Sequence, residues 1–302
     1  MNTKTILILG GAGFIGSHLI DYILKYTQLN VISIGRGDVR QSDNRLVHFN
    51  SIISKDILYS KINNEVNILA IINCAGGGNV QSSHDEPLKD FYKTTCCTAE
   101  VLEYIRCCKP LAKFIQLSSA AVYGNCFKLP ISINSDLKPI SAYGYNNFLA
   151  ENLVNFYASI YGISASIIRV FSVYGPGLKK QILWDACEKM KHGEASFFGT
   201  GQEVRDFVSV YDLVSMLYSL IQLSNSSVPI YNCGSGVGIT IQELLTKLVP
   251  HFSDLDKLHF SGEPKIGDPI GYIADISLSP IKNSISIDDG IDEYVNWFKS
   301  ER

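Results

Sequence analysis

Short apolar runs alternate with stretches in which apolar side chains recur every three or four positions, and this alternation fills the first half of the chain. The runs Thr5–Leu9, Val31–Ile34, Ile68–Asn73, Lys113–Ser118 and Ala165–Phe171 are far shorter than the roughly 20 residues a membrane helix needs. They are continuous enough for strands buried on both faces. Between them, Phe14–Lys25, Thr95–Arg106 and Ala142–Tyr161 carry the helical period, as in Ile15, Leu19 and Ile23. Strands alternating with amphipathic helices specify a parallel sheet covered on both faces, so the expected fold is α/β with a Rossmann-type doubly wound sheet. After Tyr174-Gly175-Pro176-Gly177 the alternation fades. Helical stretches near 180–191, 211–223, 240–249 and 288–299 are separated by Gly, Ser and Pro, which predicts a smaller C-terminal lobe. The segment Asn125 to Pro139 reads as a loop, because Pro130, Pro139 and several Ser and Asn residues interrupt any period.

Composition narrows the classes of function. The 302 residues are 46% hydrophobic, enough for a sizeable core. With 26 basic and 29 acidic residues the net charge is -3, so the chain lacks the basic excess that nucleic-acid binding requires. No run suits a membrane span. Met1-Asn2-Thr3-Lys4 leads directly into the first apolar run without the separate regions of a signal peptide, and a cytoplasmic location is expected. The eight cysteines include no Cys-x-x-Cys pair, and the adjacent pairs Cys96-Cys97 and Cys107-Cys108 point in different directions on a helix. Buried, reduced thiols are the expectation. The six histidines lack ligand spacing, and no metal site is expected.

Chemistry enters at Ile6-Leu7-Ile8-Leu9-Gly10-Gly11-Ala12-Gly13-Phe14-Ile15-Gly16, where a strand runs through Gly-x-x-Gly-x-x-Gly into a helix. Glycines there permit a tight turn, close backbone approach to a pyrophosphate and close helix-to-strand packing, with the phosphates at the positive helix end. The candidate cofactor contacts are Gly10, Gly13, Phe14, Ile15 and Gly16, together with Ala75 after the strand at 68–73. The end of the second strand distinguishes the two nicotinamide dinucleotides, since a carboxylate there bonds a ribose hydroxyl and an arginine accommodates a 2′-phosphate. The strand at 31–34 is followed by Gly35-Arg36, so NADP(H) is favoured over NAD(H).

From these motifs onward the sequence resembles the extended short-chain dehydrogenase/reductase family of nucleotide-sugar epimerases, dehydratases and ketoreductases. Ser118-Ser119-Ala120-Ala121-Val122-Tyr123-Gly124 is similar to the strand segment carrying that family's catalytic hydroxyl, which the resemblance places at Ser119. Ser141-Ala142-Tyr143-Gly144 resembles the segment of the catalytic tyrosine, implicating Tyr143. Arg169 and Val173-Tyr174-Gly175-Pro176-Gly177 resemble the boundary after the sixth strand. Val204-Arg205-Asp206-Phe207-Val208 with Asp212 resembles a motif whose arginine contacts the substrate diphosphate, so Arg205 inherits that role and Lys265 is implied beside it. Ser172 stands where epimerases often place a substrate-contacting asparagine, and Thr94 where relatives often place an asparagine near the cofactor. Ala120 and Ala121 occupy the positions of the acidic pair of 4,6-dehydratases, which disfavours that reaction.

The resemblance implies a dinucleotide-binding domain over 1–174 with a returning segment near 205–235, and a nucleotide-sugar-binding lobe over 175–204 and 236–302. It also implies a nucleotide-diphosphate sugar substrate and a homodimer packed through the helices around 95–108 and 142–161. Apolar positions on those helices are equally explained by the core.

One departure matters for the chemistry. The resemblance implies a catalytic phenol, with an ordinary pKa near 10, that is acidified by a lysine one helical turn later on the same face. Here that position is Asn147. A cation at about 5 Å in an effective dielectric of about 20 stabilises a phenolate by roughly 3 kcal/mol, and an amide does not. Asn147 can still orient a ribose. Carbonyl reduction needs a protonated tyrosine, whereas epimerisation must also remove a proton. The residues therefore incline towards NADPH-dependent reduction of a 4-keto nucleotide sugar, with Ser119 polarising the carbonyl and Tyr143 donating the proton. Two other readings stay open: a nucleotide-sugar 4-epimerase with bound NAD, and a catalytically silent relative that binds dinucleotide or nucleotide sugar.

Overall fold

Burial explains why the apolar runs become strands. In the computed structural model, which describes residues 4–62, 64–78, 80–126, 128–223, 228–252, 258–263 and 271–301, every residue of β1 (Thr5–Leu9) is buried. Its neighbours are β2 (Asn30–Gly35), β3 (Leu46–Asn50), β4 (Ile68–Asn73), β5 (Lys113–Ser119) and β6 (Ala165–Val170). Every pairing from β3 across to β6 is parallel. The strand order β3-β2-β1-β4-β5-β6 continues to β10 (Ile230–Cys233), giving seven strands. The chain reverses its winding between β1 and β4, which is where an open α/β sheet leaves a crevice at the carboxyl ends of its strands.

The helices bury one face each. Helix α1 (Phe14–Tyr26) turns Leu19, Ile20 and Ile23 inward. Helix α2 is Lys55–Lys61, α3 Val80–Asp85 and α4 Pro87–Phe91. Helix α5 (Cys97–Cys108) buries Val101, Leu102 and Ile105, and α6 (Ala142–Tyr161) buries Ala150 and Val154. Of these, Val101, Leu102, Ile105 and Val154 join Leu7, Leu9, Ile71 and Phe114 in one cluster, and each large apolar side chain so buried stabilises the fold by about 1.5–3 kcal/mol relative to exposure.

Two compact units emerge from the contacts. The first contains Met1–Gly124, Asp136–Val170 and Val214–Tyr231, and the second Asn125–Ser135, Phe171–Leu213 and Asn232–Arg302. The second unit holds a three-stranded sheet of β7 (Ser172–Tyr174), β9 (Val204–Ser209) and β11 (Gly238–Thr240), and a parallel pair of β8 (Ser196–Phe197) with β12 (His259–Phe260). Its helices are α7 (Gln181–Lys191), the start of α8 (Val210–Gln222), α9 (Ile241–Leu248) and α10 (Ile287–Ser300). Buried Asp206 gathers this unit together. Its carboxylate accepts the N–H groups of Ser235 (2.5 Å), Gly236 (3.0 Å) and Ala274 (2.9 Å) and the Ser235 hydroxyl (2.7 Å).

Several expectations change in detail. β5 runs on through Ser119 and β6 stops at Val170. The helix expected from Thr95 begins at Cys97, after a π-helical turn over Tyr92–Cys96. The thiols are all free, but only Cys97, Cys187 and Cys233 are buried, and Cys107 is exposed. It lies beside exposed Arg106 in the last turn of α5, away from the buried positions Val101, Leu102 and Ile105. Among the described residues no helix is long and apolar enough to cross a membrane.

Candidate functional site

The turn after β1 is built by backbone approach. Gly10 has φ of 80°, and a Cβ there would lie 2.9 Å from the Ala75 nitrogen. Only glycine accepts both conditions. The Gly13 N–H donates to the Gly10 carbonyl at 2.9 Å, and Gly13 caps α1 without a side-chain partner, leaving the helix N-terminus open for an anion. A Cβ on Gly16 would meet the Gly10 oxygen at 2.3 Å, so this glycine serves helix-to-turn packing. Phe14 and Ile15 form the first turn of α1, where their N–H groups face the same end.

A cavity of about 1080 Å³ opens from this turn within the first unit. Gly10, Gly13, Arg36 and Ala75 line it, with Ser51 to Ser54 after β3, Cys74 and Gly76 after β4, and Lys93 and Cys96 across from them. Arg36 is exposed and makes no hydrogen bond or ion pair among the described residues, so its guanidinium is available to a ligand anion.

A second group of residues meets at the end of β5. Ser119 ends the strand, and its Oγ accepts the Ala121 N–H at 3.2 Å. Helix α6 starts at Ser141, whose Oγ accepts the Gly144 N–H at 3.1 Å. Gly144 allows α6 to press on the turn after β5, since a Cβ there would lie 2.5 Å from the Ala121 oxygen. That approach brings the Tyr143 phenol to the Ser119 hydroxyl, and the two hydrogen-bond. Burial raises the phenol's pKa above its ordinary value, the Ser119 hydrogen bond partly opposes the rise, and the Asp90 carboxylate adds to it. The phenol is therefore protonated at neutral pH.

Asn147 lies one turn further along α6, buried, with its Nδ2 donating to the Tyr143 carbonyl at 2.8 Å. The amide closes on its own helix and places no cation by the phenol. Tyr143 and Asn147 are not part of the cavity wall. Thr94 lies in the π-helical turn, and its Oγ1 accepts the Gly77 N–H at 2.9 Å, holding the backbone that follows Gly76 in the wall.

Ser172 and Arg205 lie in the second unit, on the paired strands β7 and β9. Arg205 is half-buried, donates from Nη1 to the Val204 carbonyl at 2.8 Å and stacks its guanidinium 5.9 Å from the Tyr272 ring centroid. Lys265 lies outside the described residues.

This site contains residues that the sequence did not single out. The Ser83 hydroxyl accepts the Tyr143 N–H at 3.0 Å, satisfying a first-turn donor of α6. Asp90, buried on α4, accepts from Asn146 Nδ2 at 2.7 Å. Serine and aspartate on short helices carry no periodic signal, and only the tertiary contact reveals them.

A profile of the NAD-dependent epimerase/dehydratase family matches residues 6–234. The chain belongs to this family. A Methanocaldococcus jannaschii protein provisionally named a UDP-glucose 4-epimerase is 29% identical, covering 98% of this chain and 98% of its own. The UDP-glucose 4-epimerase of Lactobacillus helveticus is 26% identical over 98% of this chain and 97% of its own. The solved structure of UDP-glucose 4-epimerase from Thermotoga maritima with UDP-glucose superposes with a TM-score of 0.88 at 25% identity, covering 98% of this chain and 99% of that one. For a member of the epimerase/dehydratase family, the glycine turn, the cavity beyond it and the Ser119–Tyr143 pair form a coherent set. The neutral amide at Asn147 gives this member a phenol without a fixed positive neighbour on α6.

Proposed function

We propose that this protein is a nucleotide-sugar 4-epimerase that works with a bound nicotinamide dinucleotide. The observation that carries this reading is the hydrogen-bonded Ser119–Tyr143 pair, in a chain similar from end to end to UDP-glucose 4-epimerases. The residues of the first unit fit the cofactor. The glycine turn leaves the space that a Cβ at Gly10 would fill, and the open N-terminus of α1 suits a pyrophosphate. When bound, the dinucleotide supplies a hydride acceptor and, after sugar oxidation, a donor.

The chain's own residues handle the proton. Ser119 donates a hydrogen bond to the sugar oxygen at the reacting carbon, and Tyr143, in the minor fraction that has first lost its own proton to solvent, takes the sugar hydroxyl proton and later returns it. Asn147, through the Tyr143 carbonyl, fixes the first turn of α6. Arg205 and Ser172 from the second unit, with Lys265, bind the nucleotide diphosphate and the sugar. The assembly is a homodimer through α6.

A second reading, one-way NADPH-dependent reduction of a 4-keto nucleotide sugar, is favoured by two observations. The Tyr143 phenol stays protonated beside a neutral Asn147, and Arg36 stands free at the cavity wall for a 2′-phosphate. One experiment separates the two. Purified protein is incubated with UDP-glucose, UDP-galactose and their N-acetyl and uronic acid counterparts, and C4 inversion is followed by proton NMR. In parallel, NADPH consumption is followed with 4-keto-6-deoxy nucleotide sugars. Inversion without added cofactor supports the epimerase. NADPH consumption without inversion of any sugar sinks it in favour of the reductase. Silence in both assays, relieved by Asn147→Lys, identifies a binding protein with a decayed active site.

A further inference from the structure

The turn that carries Arg36 is held from the neighbouring strand. Gly37 has φ of 90°, and both of its backbone polar groups are taken by side chains of β3. Its N–H donates to Asn50 Oδ1 at 3.0 Å, and its carbonyl pairs with His48 Nε2 at 2.8 Å. A carbonyl only accepts, so Nε2 donates this bond. The other ring nitrogen, Nδ1, pairs with the Ser33 hydroxyl at 3.0 Å. Ser33 is fully buried, and its Oγ fills the space beside Gly11, where a Cβ would lie 1.9 Å away. A continuous chain of contacts thus runs from the phosphate turn through Ser33 and His48 to Gly37.

The same clamp sorts two opposite charges. Asn50 also donates from Nδ2 to Asp38 Oδ1 at 3.1 Å. Arg36 and Gly37 line the cavity, and Asp38 does not. The carboxylate nearest the end of β2 is therefore tied to β3, and the guanidinium two residues earlier is left without a partner. A carboxylate at this point would accept a ribose hydroxyl, whereas a guanidinium complements a phosphate.

We propose that His48 and Asn50 are positioning residues for cofactor choice: by clamping Gly37 they present Arg36 to the adenosine ribose and withhold Asp38, so that the cavity discriminates a 2′-phosphate from a 2′-hydroxyl. The proposal rests on the dinucleotide reading of the cavity, which the epimerase and reductase readings share. Neither residue touches the ligand in this scheme. Each acts through the turn.

The test is calorimetric titration of nucleotide-stripped protein with NADPH and with NADH, reading the ratio of the two dissociation constants. Arg36→Ala lowers the preference for NADPH about tenfold or more, the loss expected for a charge-assisted hydrogen bond to phosphate. Asn50→Ala, at an exposed position, lowers the same ratio by about threefold to tenfold, because Asp38 is released while Arg36 loses its fixed exit. His48→Ala does likewise, and His48→Gln, whose amide can still donate to the Gly37 carbonyl, restores most of the ratio. A ratio within about twofold of wild type in both Asn50→Ala and His48→Ala overturns the proposal. So does an equal loss of affinity for both dinucleotides, which describes a turn needed for binding and not for choice. A wild type that binds neither dinucleotide overturns the reading of the cavity itself, and this proposal with it.

Discussion

Asn147 donates its amide to the carbonyl of Tyr143, the residue whose phenol a cation at this position would acidify. Burial raises that phenol's pKa, and the Ser119 hydroxyl only partly offsets the rise. The sign for catalysis follows. Tyr143 is an acid held in its protonated form, so the step in which it accepts a sugar proton speeds up as pH rises towards its pKa, while the step in which it donates is flat over the same range. Asn147→Lys brings a cation one turn away, lowers the phenol's pKa, and moves the rising limb of the oxidative rate to lower pH. At neutral pH that rate increases about tenfold to a hundredfold, for roughly 3 kcal/mol of Coulomb attraction discounted by lysine desolvation. A pH profile of dinucleotide reduction by the nucleotide sugar checks it, and an unshifted limb rejects it. Tyr143→Phe lowers turnover by about 10² to 10⁴ and leaves dinucleotide affinity unchanged, as measured by calorimetry.

At the scale of elements, β5, β6 and α6 are fastened by one buried ion pair. Arg169 donates from Nη2 to Glu151 Oε2 at 2.7 Å and from Nε to Oε1 at 3.0 Å. The Ser118 hydroxyl donates to the same carboxylate at 2.6 Å, and Arg169 Nη1 donates to the Tyr123 hydroxyl at 3.0 Å. Both charged side chains are almost wholly buried. Removing one charge leaves the other stranded, so Glu151→Leu costs about 3–5 kcal/mol and shows as a large fall in melting temperature. Glu151→Leu together with Arg169→Met recovers much of it, because the pair's desolvation cost disappears along with its attraction. A double variant no more stable than the single one would count against this account.

Much of this layer was legible in the sequence, for physical reasons that differ by element. β1 and β4 are buried on both faces and α6 carries a Ser cap and a Gly162 stop, so pattern and punctuation agree with their observed ends. β3 escaped because Leu46–Asn50 is a half-exposed edge strand with His48 and Asn50 in its pattern. Helices α2, α3 and α4 have five to seven residues, too few for a period to show. At the site, the glycine turn, Ser119 and Tyr143 followed from local motifs. Ser83, Asp90 and the Gly37 clamp depend on pairs up to 60 positions apart, which no local pattern records.

The whole molecule presents one surface that its own fold does not explain. On α6, Tyr145, Phe156 and Ile160 are 52%, 48% and 62% exposed. At 3.6 residues per turn they fall within an arc of about 60°, and the core-facing residues Asn147, Ala150, Glu151 and Val154 lie elsewhere on the helix. The apolar positions of α6 are therefore only partly accounted for by the core. Helix α5, expected to share the interface, ends in exposed Arg106 and Cys107 and offers no comparable face. Phe156 and Ile160 stand one turn apart, with Tyr145 about three turns away along the same side, and a second copy of the same helix would cover these apolar side chains by symmetry. The prediction is that light scattering finds twice the chain mass at micromolar concentration, and that Phe156→Glu with Ile160→Glu gives the single-chain mass. Because the glycine turn and Arg36 lie outside this patch, the double variant keeps its affinity for the dinucleotide; a wild type of single-chain mass at every concentration would overturn the dimer.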